Sequence, residues 1–223
     1  MAIHQALITP VKSYDHSTWS LVESTTLSTS DSASDVLSDV EENDLVFIVA
    51  GSDDETSLEN LSVTGYTTVV AEGENSVGIY VGYKVHGTAS TLNVNGNSAW
   101  DQAIAFVMRS SSPSSSYTVQ EVASYFTPPL FGFIPINESP THNNENVDFA
   151  AGDLALLLAW QDDDNASPMN PPSVSTDITE DVGNSTGSVA AAFRSIPTTG
   201  TYSWGAWSTT GTDRTQTLII KVN

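Results

Sequence analysis

Short apolar stretches, some alternating and some continuous, are separated along this chain by Gly, Asn, Ser and Asp. No segment sustains a 3.6-residue apolar period, and only residues 37–43 could close one short helical turn. Two continuous apolar runs, 45–50 and 154–160, predict central strands buried on both faces. Residues 63–71 and 76–85 predict a hairpin closed by Glu72-Gly73-Glu74-Asn75, where Gly and Asn tolerate positive backbone angles. Thr91-Leu92-Asn93-Val94-Asn95 alternates strictly and runs into an Asn95-Gly96 turn. Shorter strands are expected around Ala6 and Ile8, around Trp19 and Leu21, and at 103–109. The Ser- and acid-rich stretch 28–42 reads as a surface loop or tether, and 53–61 as a loop. Further strands are expected at 117–126, 186–196, 201–207 and 216–222.

The pattern occurs twice. Asn43-Asp44-Leu45 and its apolar run, ending in Asp53-Asp54, return as Gly152-Asp153-Leu154, its run and Asp162-Asp163. Val81-Gly82-Tyr83-Lys84 returns as Ala191-Ala192-Phe193-Arg194. Between the copies lies Ser111-Ser112-Pro113-Ser114-Ser115-Ser116, which cannot build a core. The expected organisation is therefore a first domain at 1–110, a linker at 111–116 and a second domain at 117–223. The expected fold is all-β: two tandem antiparallel β-sandwich domains of the jelly-roll or immunoglobulin-like kind, with Thr and Val supplying strand formers.

Charge narrows the function classes. The chain has 27 acidic residues against six Lys and Arg, for a formal net charge of -21. A phosphate backbone would be repelled, so no nucleic-acid partner is expected. No apolar stretch is long enough for a membrane span, and the start, Met1-Ala2-Ile3-His4-Gln5, does not read as a secretory signal. There are no cysteines to form disulfides or bind zinc.

Candidate chemistry is thin. Asp53 and Asp54, with Asp162 and Asp163, form acidic clusters after each central strand; they could offer hard oxygen ligands to calcium, or serve as solvated turns. Asp101, Asp177, Glu180 and Asp181 could contribute to a hydrolytic carboxylate pair, but nothing in the spacing assembles one. The four histidines are scattered. No catalytic residues are expected, and the chain is read as non-enzymatic. Trp204 and Trp207 could stack on a sugar or fill the core. Leu130, Phe131, Phe133 and Ile134 lie in a proline-bearing apolar segment, 128–136, expected to be an edge strand or an exposed assembly contact.

The combination of Asn43-Asp44-Leu45, Asp53-Asp54, Gly65-Tyr66, Tyr83-Lys84 and the closing strand Ala103-Ile104-Ala105-Phe106-Val107 resembles a domain common in phage virion proteins. The second copy keeps Gly152-Asp153-Leu154 and Phe193-Arg194 but lacks the Gly-Tyr step. The resemblance implies a structural protein on the virion surface, a capsid decoration or knob, with the major capsid protein or other virion proteins as partners and a homo-oligomeric state. The alternative it leaves is a carbohydrate-binding or host-recognition module of a tail or fibre.

Overall fold

The structure is a computed structural model that describes residues 17–74, 77–127, 146–162, 168–182, 187–208 and 214–223. Its first unit contains β1 (Trp19–Thr26), β2 (Ser34–Leu37), β3 (Leu45–Ser52), a short helix α1 (Glu55–Leu58), β4 (Thr67–Glu74), β5 (Val77–Val85), β6 (Leu92–Asn95) and β7 (Gln102–Ser110). The second contains β8 (Val119–Thr127), β9 (Val147–Phe149), β10 (Leu154–Gln161), β11 (Thr176–Val182), β12 (Ser188–Ser195), β13 (Gly200–Tyr202) and β14 (Thr215–Val222). Among the described residues each unit has a five-stranded antiparallel sheet and a two-stranded one. The orders are β1-β7-β3-β5-β4 with β2-β6, and β8-β14-β10-β12-β11 with β9-β13.

The protein is thus all-β with two tandem units, and their strand orders are the same. Pairing within each unit is nested. Among the described strands the first pairs with the last, the second with the second-last, and the third with the third-last: β1·β7, β2·β6 and β3·β5, then β8·β14, β9·β13 and β10·β12.

The two large sheets lie face to face and share one core. Leu45, Phe47 and Val49 of β3 meet Leu154, Leu156, Leu158 and Trp160 of β10 in a single buried cluster. Alternation then sends Val46, Ile48 and Ala50 to the outer face of the first sheet. There they join Leu37, Val40, Val94 and Trp100. Ala155, Leu157 and Ala159 do the same in the second unit, against Phe149, Trp204 and Trp207. This explains why β3 and β10 are buried at every position: each has a layer on both sides.

The repeated Asn/Gly-Asp-Leu motif is a backbone device. Asn43 and Gly152 both take positive φ, at 70° and 95°. Asn and Gly are the residues that accept that region most readily. The next residue, Asp44 or Asp153, is almost fully buried. Its Oδ2 accepts the backbone N–H three residues back, from Glu41 or Ala150. The same carboxylate then holds a cation on the closing strand. Arg109 donates from Nε and Nη2 to Asp44 at 2.9 and 2.8 Å, and Lys221 Nζ lies 3.1 Å from Asp153.

The positive-φ carbonyls are where the units grip each other. Trp19 Nε1 donates to the Gly152 oxygen at 2.9 Å, and the Tyr117 hydroxyl to the Asn43 oxygen at 3.4 Å. The Trp19 and Tyr117 rings are 5.4 Å apart. Between them the serine segment folds back, with Ser111 N–H bonded to the Thr18 oxygen and Ser114 N–H to the Tyr117 hydroxyl.

Several local expectations change. The stretch 28–42 is more than a tether, because β2 forms within it and Leu37 and Val40 are buried under the first sheet. The helical turn forms at Glu55–Leu58 and not at 37–43, because Asp54 caps it and Leu58 is buried. The hairpin of β4 and β5 is present, but β4 begins at Thr67 and Glu72, Gly73 and Glu74 pair with β5 where a turn was expected. The expected strand at 201–207 shortens to β13, after which Trp204 and Trp207 turn inward. The expected strand at Ala6 and Ile8 lies outside the described residues.

Candidate functional site

The acidic cluster of the first unit is occupied with its own backbone. Asp54 is the N-cap of α1, and its Oδ1 accepts from the Thr56 N–H at 3.0 Å and the Thr56 hydroxyl at 2.7 Å. Those bonds hold its pKa below the usual carboxylate value. Asp101 Oδ2 accepts from the Ser52 hydroxyl and the Asp53 N–H at 2.9 and 2.8 Å. Asp53 titrates above its ordinary value because of partial burial and its hydrogen bond to the Asp101 carboxyl. In the second unit Asp162 lies 3.8 Å from Arg214, and Asp163 is outside the described residues. Among the described residues no group of three or more His, Asp or Glu side chains could hold a metal ion. The calcium reading of Asp53, Asp54 and Asp162 therefore finds no ligand set there.

The other candidates separate in space. Trp204 and Trp207 are 1 % and 0 % exposed, so neither offers a ring face to a sugar. Trp204 packs on Tyr202 and edge-on to Phe149, at 6.1 and 5.8 Å between centroids. They fill the outer layer of the second unit, where the large rings cover the small side chains Ala155, Ala159, Ala190 and Ala192. Glu180 accepts from the Met169 N–H, while Asp181 reaches across to the Ala103 N–H in the first unit. Both are used as backbone acceptors. Asp177 and Asp181 titrate above the usual carboxylate value because they are partly buried. Leu130, Phe131, Phe133 and Ile134 lie outside the described residues.

Among the described residues two clefts stand out as candidate sites. One, of about 320 Å³, opens at the seam between β4 and β8, with Glu59, Glu72, Ser124, Phe126 and Gln216 on its wall. Near it Glu121 titrates above its ordinary value, through burial and then the neighbouring Glu72 charge. That cleft suits no anion.

The second cleft, of about 230 Å³, lies on the outer face of the first unit. Its wall combines Asn93, Asn95 and Asn97 from β6 and the turn after it with Thr64 and Tyr66 from the loop before β4, and Lys84 from β5. Gly65, at φ 84°, turns the chain so that Tyr66 enters beneath the loop. Lys84 Nζ sits 4.8 Å from the centre of the Tyr66 ring. Burial alone lowers the Lys84 pKa. The Tyr66 hydroxyl is buried, and its pKa is raised mainly by that burial. In the sequence 91–95 reads only as a strand and does not reveal this site, though its strict alternation puts Asn93 and Asn95 on one face. What alternation could not give was the arrival of Tyr66 and Lys84 beside them.

No protein-family model, no curated protein and no solved structure matches this chain.

Proposed function

We propose that the chain is a non-enzymatic structural protein of a phage particle, a capsid decoration or knob carried on the virion surface. The observation that carries this reading is the nested strand pairing. First with last, second with second-last and third with third-last, in both units, is the way a jelly roll closes. On this reading each unit is a jelly roll, with seven strands among the described residues, an architecture at home in viral capsid and lectin domains.

A fold of this kind hosts several functions, so charge and motifs add to the argument. A net charge of -21 keeps the exposed faces hydrated and mutually repelling, which suits copies displayed side by side in a salty medium. The repeated Asn/Gly-Asp-Leu device and the resemblance it supports point the same way.

In this reading the partners are the major capsid protein or other virion proteins, with sister copies alongside. The apolar residues Leu130, Phe131, Phe133 and Ile134 make the contact, on the strength of their sequence. Purified protein added to particles stripped of it should co-sediment with them. Phe131→Asp and Ile134→Asp should weaken that association by roughly a hundredfold while leaving circular dichroism unchanged, as loss of a buried anchor at an interface does. Failure of the wild-type chain to co-sediment would overturn the reading. So would undiminished binding by both variants.

A further inference from the structure

The cleft of the first unit places a cation among groups that recognise hydroxyls. Asn93 and Asn95 are exposed, and each carboxamide supplies a donor and an acceptor. Thr64 adds a hydroxyl and Tyr66 an aromatic ring. Lys84 is the unusual member. Arg109, Arg214 and Lys221 each have a carboxylate within 4.0 Å. Lys84 has none among the described residues and instead lies against the Tyr66 ring. Its counterpart in the second unit, Arg194, likewise lies against rings, those of Tyr202 and Trp204 at 5.0 and 5.9 Å, and Lys84 differs from it in lining a cleft. The first unit leaves its cation facing a concave polar wall.

We propose that this cleft binds a saccharide unit carrying a carboxylate, with Lys84 meeting the carboxylate and Asn93, Asn95 and Asn97 meeting the hydroxyls. The volume fits one sugar ring, being below the roughly 300–1,000 Å³ typical of larger-ligand sites. A single negative charge also suits the surroundings. A polyanion such as nucleic acid would meet the field of a chain with net charge -21, whereas one carboxylate is matched by one ammonium in a partly desolvated site. The inference does not depend on where a particle carries the protein.

The test is amide NMR of the full ¹⁵N-labelled chain titrated with sodium glucuronate and, separately, with glucose. Glucuronate should shift the side-chain amides of Asn93, Asn95 and Asn97 saturably, with a dissociation constant on the order of 1 mM, and glucose should bind about tenfold more weakly. Lys84→Met should remove the difference between the two sugars, and Asn95→Ala should weaken both. Absence of saturable shifts at these amides, or glucose binding as tightly as glucuronate, would overturn the proposal. That comparison needs only the wild-type protein, so it stands even if Lys84→Met fails to fold.

Discussion

Gly51 and Trp160 occupy equivalent places in the two copies, near the ends of β3 and β10, and they face each other. A Cβ built on Gly51 would lie 2.0 Å from Trp160 Cε3. The missing side chain on one copy is thus the space that receives the indole of the other. Gly51→Ala should destabilise the protein by about 1–3 kcal/mol through overpacking. Combined with Trp160→Leu, it should cost less than the two single changes summed, since the smaller side chain vacates the space. Urea denaturation of the four proteins checks this; strict additivity would mean that the two residues do not share the space. Asp44→Asn should cost about 2 kcal/mol, because an amide cannot accept from both Arg109 nitrogens and the Glu41 N–H as the carboxylate does. The repeat of Asn43-Asp44 and Gly152-Asp153 was visible in the sequence. Its meaning was not, because the positive φ, the turn cap and the distant cation appear only when the closing strand is in place. Trp204 and Trp207 show the opposite case, where side-chain identity alone favours core filling but leaves sugar contact open.

Strands announced themselves where both faces are buried, as at 45–50 and 154–160, because no polar residue interrupts the run. Elements held by a partner far along the chain were harder to read. β2 sits in a Ser- and Asp-rich stretch and exists because β6 pairs with it. The bulges were also hidden. Each of the four edge strands of the large sheets carries one extra apolar residue: Val22 in β1, Val69 in β4, Val122 in β8 and Ile178 in β11. A bulge on an edge disrupts the ladder that another strand would extend, and so guards against edge-to-edge association. Hydrogen exchange should rank the elements accordingly: amides of β3 and β10 exchange slowest, while those of β2 and β6, in a two-stranded sheet, exchange sooner. Equal protection throughout would contradict a layered core.

The two units were legible as a repeat, but their mutual packing was not, because alternation assigns faces without saying what covers them. One cluster drawing on both large sheets makes the units interdependent. Residues 1–110 expressed alone should therefore be unfolded, molten or self-associated, whereas the full chain should unfold in one urea transition; a stable monomeric first half with sharp NMR signals would argue otherwise. Acidity also acts at this scale. Asp53, Glu121, Asp177 and Asp181 all have pKa values raised by burial in the folded protein, so the folded state holds protons more tightly than the unfolded one. Their destabilising effect is present at neutral pH and is relieved as pH falls through the raised values. Asp54 works the other way, losing its cap as pH falls through its lowered value. The melting temperature should thus rise as pH falls from 8 towards the ordinary carboxylate range and fall again below that range, with added salt raising it most at pH 8. A melting temperature that climbs steadily from pH 5 to pH 8 would show that these carboxyls are not held as the structure places them.

The proposed role is tested most directly by electron microscopy of particles released by the host that makes this chain, using a gold-labelled antibody against it. Label should spread over the head in a regular pattern. Label confined to the tail tip, or on no particle at all, would contradict that role.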